Sequence, residues 1–279
     1  MAIYYISRYT MREMLSKKVI LTFLVISGIA VIISGLIAAG IDLASMKEQH
    51  EAQAALNPMI PPFDARTLVL QIQANIATTV AALGVFLGVF ATASLMPSFM
   101  EKGTIDVFLS KPVARYQALL GRFIGSFLMV AANLAVMILG VWLTFSAIIG
   151  IWEPRFLLSF LPIILTFAVL LSLTLLVSTL SNSSGVAIMI SYIVFLVISP
   201  LLAIRAEILP FLGDSEALKW VMEVLYHVIP KTQELLNAHI VNVFDEGAAG
   251  NPSEVIMSTL ALIFAYLGGA IAYFEKKDF

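Results

Sequence analysis

The chain has 279 residues, 60% of them hydrophobic and 12% charged, with a net charge of −2. Soluble domains carry about 25% charged residues, so no soluble core absorbs this much apolar sequence, and the composition predicts an integral membrane protein. It contains no cysteine, which excludes disulfides, zinc–thiolate sites and thiol catalysis.

Residues 1–18 predict an amphipathic helix. On a 3.6-residue wheel Ile3, Tyr4, Ile6, Met11, Met14 and Leu15 fill one half, Arg8, Arg12 and Ser16 the other, and Tyr5 and Tyr9 lie between. Basic and aromatic residues beside an apolar face describe a helix lying in the membrane interface. The apolar run that follows is too long for a signal h-region, so the first span is expected to stay as an anchor.

Six apolar runs long enough to cross a bilayer follow, at about residues 19–41, 70–96, 123–148, 156–180, 185–204 and 255–274. In the first, Ala30, Ser34 and Ala38 stand four apart and suit close helix contact. Residues 42–67 form a polar loop in which Ser45–Leu56 has helical character, stopped by Asn57-Pro58 and Pro61-Pro62. The second run opens with Gln71, Gln73 and Asn75, so that end protrudes or lines a wet cavity, and it continues with Gly84 and Gly88 at Gly-xxx-Gly spacing. The third holds Asn133 near its middle, and a buried Asn needs a partner. Pro162 is expected to kink the fourth. Between the fifth and sixth, residues 205–254 carry two amphipathic stretches that lie on the surface or dip into the bilayer, the first with Leu218, Val221, Met222 and Leu225 on one face.

Between the second and third runs lies a polar island, 97–118. Gly103 breaks the preceding helix and Thr104 is a good N-cap. Ile105, Phe108 and Leu109 then form one apolar face of a short helix that Pro112 ends. The same residues also suit a tight turn whose Lys and Arg only fix topology. An acidic residue (Glu101), Gly103-Thr104, a short apolar helix, Ser110-Lys111-Pro112-Val113, Arg115 and Gly121 together resemble the cytoplasmic loop of permeases in the type-2 family of ATP-binding-cassette (ABC) exporters. The six-span layout is similar to that family over essentially the whole chain.

That resemblance implies a coupling helix at Thr104–Ser110, with Glu101 contacting an ATPase subunit or the interfacial helix, Arg115 anchoring the loop, and Phe108 and Leu109 packing it on spans two and three. It implies a separate ABC ATPase subunit that binds ATP and magnesium, and a dimer of this chain with itself or with a homologous permease. It also favours spans one, two and five near the dimer axis. Gln71, Asn75, Gly84, Gly88 and Asn133 are candidate pathway or helix-contact residues.

Six spans put both termini on one side. With the termini inside, ten of the sixteen Lys and Arg fall in the short inner segments and thirteen of the eighteen acids fall outside. The positive-inside rule then places the termini and the 97–122 loop in the cytoplasm of a cell whose inner membrane holds the chain. No span so drawn carries Asp, Glu, Lys or Arg in its interior, which argues against a proton-driven carrier or pump. A carrier using backbone carbonyls and hydroxyls, and a non-transporting assembly factor, stay open as alternatives. No phosphate-binding loop and no hydrolase motif is present, so ATP hydrolysis is expected on a partner and no cofactor on this chain. His50, His227 and His239 match no metal-site spacing, and no metal or nucleic acid is expected.

Overall fold

A computed structural model describes residues 2–16, 18–57, 59, 61–101, 114–208, 216–236 and 252–277. Among these the chain is helical and has no strand. An interfacial helix, Ala2–Ser16, precedes span one, Val19–Ala39. An exposed helix, Leu43–Leu56, leads to span two, Ala65–Ala93, which continues through a further turn, Leu95–Phe99. Span three is Arg115–Ile149, eight residues longer at its start than the apolar run alone defines. Span four is Phe160–Ser181, span five runs from Ser184 to Ala203, and span six is Pro252–Lys276. All six are long and apolar enough to cross a membrane.

Local chemistry sets the ends. Asp42 caps Leu43–Leu56, its carboxylate accepting from the backbone N–H of Ala44 at 3.0 Å. Asp64 caps span two in the same way, accepting from the N–H of Arg66 at 3.0 Å and the hydroxyl of Thr67 at 2.5 Å. Pro162 falls in the first turn of span four, where a missing N–H breaks no helical bond, and a 3₁₀ turn, Pro154–Ser159, leads into the helix. In span five Pro200 has no N–H to return to the Leu196 carbonyl, and the helix widens to a π turn over Val194–Ile198.

Span four is the centre of the bundle and packs on spans two, three, five and six. Its Ile163, Phe167, Leu170 and Leu171 are fully buried. Span one lies against spans three and two. Its packed face takes in Ser34 and Ala38 of the small-residue stripe together with Ser27 and Gly35, while Ala30 is half-buried. The Ser27 hydroxyl donates to Asn133 Oδ1 at 2.7 Å, which gives the mid-span Asn its helix partner. Spans two and five meet where Tyr192 stacks on Phe86 at 4.2 Å and donates to the Phe86 carbonyl at 2.9 Å.

Gly84 and Gly88 face spans three and four. A Cβ at Gly88 would lie 2.8 Å from Phe167 Cε2 and 2.9 Å from Val130 Cγ1, and one at Gly84 would lie 2.8 Å from Met137 Cε. This close approach therefore lies within the subunit.

After the amphipathic helix Glu216–Val228 the chain turns back against the spans. Pro230, Lys231, Thr232, Leu235 and Leu236 are buried. Ser199 Oγ of span five accepts from the Thr232 hydroxyl at 2.8 Å and the Gln233 N–H at 3.0 Å. Tyr266 of span six donates to the Val228 carbonyl at 2.7 Å. Tyr266 stands about 21 Å along the helix from Pro252 at 1.5 Å per residue, so this segment dips into the layer of spans rather than resting on it.

Candidate functional site

The interfacial helix is held in a groove on span three. Gly121 and Gly125 open that groove: a Cβ at Gly121 would lie 2.7 Å from Ile6 Cβ, and one at Gly125 would lie 2.6 Å from the Ser7 carbonyl oxygen. The buried face of the helix is Ile6, Ser7, Thr10 and Met14, whereas Tyr4, Tyr5, Arg8, Tyr9, Arg12 and Leu15 are exposed. The wheel's apolar half thus divides: Ile6 and Met14 pack on span three, and Tyr4 and Leu15 are exposed. Ser7 and Thr10 enter the contact at little cost because their hydroxyls donate to carbonyls one turn back, Ile3 O at 2.6 Å and Ile6 O at 2.9 Å.

Beside this groove three elements meet at one carboxylate. Glu13 of the interfacial helix accepts from Arg122 of span three and, at 3.2 Å, from the Ser98 hydroxyl at the end of span two. Arg122 is 1% exposed, and its guanidinium lies 4.8 Å from the Phe99 ring and 5.5 Å from the Tyr9 ring. In the sequence Arg122 is one of the ten basic residues of the inner segments; in the fold span three begins early enough to take it in, and it is a buried ion-pair partner. The two helices that flank the 102–113 loop are thus tied to each other through the interfacial helix.

The return end of the loop is tied elsewhere. Ala114 N–H donates to Gln117 Oε1 at 3.3 Å at the start of span three. Arg115 donates to three carbonyls at the end of span six, Phe274 at 3.3 Å, Glu275 at 3.0 Å and Lys277 at 2.6 Å. A cation there also meets the negative end of the helix dipole. Lys277 repeats the device on span four, donating to the Thr179 carbonyl at 2.8 Å and Asn182 Oδ1 at 2.6 Å, and burial holds its ammonium below the usual lysine range. Glu101 is exposed at the other threshold of the loop. Gly103, Thr104, Phe108, Leu109 and Pro112 lie outside the described residues.

On the opposite side spans one and two share an apolar groove of about 450 Å³ whose polar lining is Ser34, Asn75 and Thr79 among Ile33, Ile72, Ile76 and Leu83. Gln71 and Asn75 are exposed one turn apart on span two. Gln73, between them, is buried, and neither its amide oxygen nor its nitrogen has a hydrogen-bond partner. Among the described residues no three His, Asp or Glu stand close enough to hold a metal. His50 contacts the Pro61 carbonyl at 2.8 Å and His227 the Glu223 carbonyl at 2.8 Å, while His239 lies outside the described residues.

Sequence reasoning missed Glu13, Ser98 and the Gly121–Gly125 pair. The last was legible as a second Gly-xxx-Gly; the first two carry no local signal, because an ion pair 109 residues apart in sequence has no periodicity.

A comparison with curated proteins returned no match. A family model described as ABC-2 family transporter protein matches residues 10–279, which takes in all six spans, the segment between spans two and three and the second half of the interfacial helix. The chain therefore belongs to the ABC-2 family of transporter proteins, as a multi-pass membrane permease of an ABC transporter.

Proposed function

We propose that this chain is the permease half of an ABC exporter, that two copies or one copy and a homologue enclose the pathway, and that a separate ATPase subunit, holding ATP and magnesium, drives it through the 97–122 loop. The termini and that loop face the cytoplasm, in the inner membrane. This chain has no catalytic role.

The observation that carries this reading is the tie of Glu13 to Ser98 and Arg122, at the membrane ends of the two helices that flank the loop. A push on the loop from below acts on both helices at once, and a buried ion pair resists their separation. Arg115 extends the linkage to span six and Lys277 to span four, so the displacement reaches the centre of the bundle. The dimer face is supported by the exposed amides of Gln71 and Asn75, which lipid does not satisfy and which a second copy or a wet pathway would cover. Spans one, two and five carry the matching exposed apolar surface in Ile33, Leu83, Phe86 and Val197.

The test is co-purification of the tagged full-length chain with an ABC ATPase encoded beside it, then reconstitution. The complex is expected to hydrolyse ATP at a rate that Glu13→Ala changes while leaving the subunits bound. An ATPase that neither co-purifies nor responds to the permease would favour a carrier or an assembly factor instead.

A further inference from the structure

We propose that Lys231 and Arg205, gathered on Tyr226, bind the phosphate of a net-anionic glycerophospholipid, whose acyl chains lie along the apolar face of the Glu216–Val228 helix. The pocket holds two cations and one carboxylate. Glu234 spends both its oxygens inside it, one accepting from Arg205 at 3.2 Å and the other from the Tyr226 hydroxyl at 2.9 Å. The Arg205 guanidinium lies 3.1 Å from the centre of the Tyr226 ring and the Lys231 ammonium 3.8 Å from it.

Lys231 is the unbalanced group. The residue is 8% exposed, its ammonium makes no ion pair or hydrogen bond among the described residues, and its one close contact is the Tyr226 ring. A ring face offsets only part of the cost of drawing an ammonium out of water. Among the described residues the cluster thus carries a surplus of one positive charge.

Depth decides what the phosphate is attached to. Thr232, next in the chain, donates to Ser199 inside span five, and Tyr266 of span six reaches Val228, so the pocket lies within the layer of spans. On the adjoining helix Leu218, Val221, Val224, Leu225 and Val228 share one arc and are 39–55% exposed, with Trp220, 69% exposed, at its edge. Lys219, Glu223 and His227 occupy the opposite arc. An apolar arc with a Trp, backed by a charged arc, is the pattern of a helix lying in the membrane interface. A phosphate arriving at that depth beside such a helix is one carried by acyl chains. Guanidinium and ammonium groups are the side chains that bind phosphate oxygens by charge-assisted hydrogen bonds.

Native mass spectrometry of the full-length chain in detergent tests this, with phosphatidylglycerol, phosphatidylcholine and inorganic phosphate as probes. The wild type is expected to retain phosphatidylglycerol over phosphatidylcholine by roughly tenfold, because both carry the phosphate but only the choline brings a like charge towards two cations. Lys231→Met should abolish the preference, Lys231→Arg should keep it, and Lys219→Met, on the charged arc of the Glu216–Val228 helix, should leave it unchanged. Equal retention of the two lipids by the wild type overturns the proposal whatever the variants do, and so does a folded Lys231→Met that keeps the preference. Displacement of the lipid by inorganic phosphate would make this a free-anion site and overturn the lipid assignment.

Discussion

Arg122 is a cation with 1% of its surface exposed, held by one carboxylate and two aromatic rings. Removing that carboxylate leaves the charge buried and unpaired, which typically costs about 3–5 kcal/mol. Glu13→Ala should therefore lower the thermal midpoint of the purified permease clearly, whereas Glu13→Ala combined with Arg122→Met should recover part of the loss, because an apolar side chain of similar volume needs no partner. Equal loss in the single and double variants would mean that the pair contributes by packing alone. Asp64 gives a pH-dependent counterpart on the opposite side. The Thr67 hydroxyl first, then the Arg66 N–H, hold its carboxyl below the usual value of 3.8. A folded pKa below the unfolded one means the unfolded state binds the proton more readily. The stability from this cap is present above the unfolded value and is lost as pH falls through the folded one. Asp64→Asn should flatten that part of the acid limb in a pH series of thermal midpoints, and an unchanged limb would assign it to other carboxylates.

At the scale of elements the two glycine pairs do different work. Gly84 and Gly88 let span two approach spans three and four, so Gly88→Leu forces a side chain against Phe167 and Val130. Overpacking of this kind costs about 1–3 kcal/mol or more. The expected outcome is a lower thermal midpoint with oligomer size unchanged at low temperature; loss of the oligomer in a fully stable variant would place the stripe between subunits. Gly121 and Gly125 seat the interfacial helix, and at Gly125 the obstacle to a Cβ is the Ser7 backbone, which has no rotamer to change. Thr10 is fully buried in that contact. A cysteine at Thr10, in this cysteine-free chain, should resist maleimide in the wild-type background and react in Gly125→Leu. Protection in both would mean that the helix tolerates the displacement.

For the whole molecule the open question of assembly becomes a geometric one. Asn75 and Thr79 line a groove of about 450 Å³ on the outward face of spans one and two. If a second copy covers it, Asn75→Cys should cross-link between copies in membranes with a short bifunctional reagent. A cysteine at Val136, exposed on span three, should not. Cross-linking at Val136 alone would move the dimer face to span three. Cysteines at Ser110 and Ser215 are expected to label from opposite sides of the membrane, and same-side labelling would remove the six-span topology.

Sequence by itself determined the class and the count of spans, because about 20 apolar residues are needed to cross hydrocarbon and each such run announces itself. It also determined one end, since Asn57 closes the helix that begins after Asp42, and it set the mid-span Asn133 amide as a group in need of a partner, which Ser27 supplies. What only the tertiary structure decided is which apolar face meets protein. Lipid tails and a bundle interior are alike in polarity, so hydrophobic periodicity does not separate them. That is why the interfacial helix packs through Ile6, Ser7, Thr10 and Met14 rather than through its most apolar half, and why Gly84 and Gly88 turn inward. It is also why Arg122 passed for a topology marker: its burial depends on Glu13 and Phe99, which chain folding brings to it and local sequence does not. The descent of residues 229–236 among the spans has the same origin, since the hydroxyls of Ser199 and Tyr266 that receive it belong to two other helices.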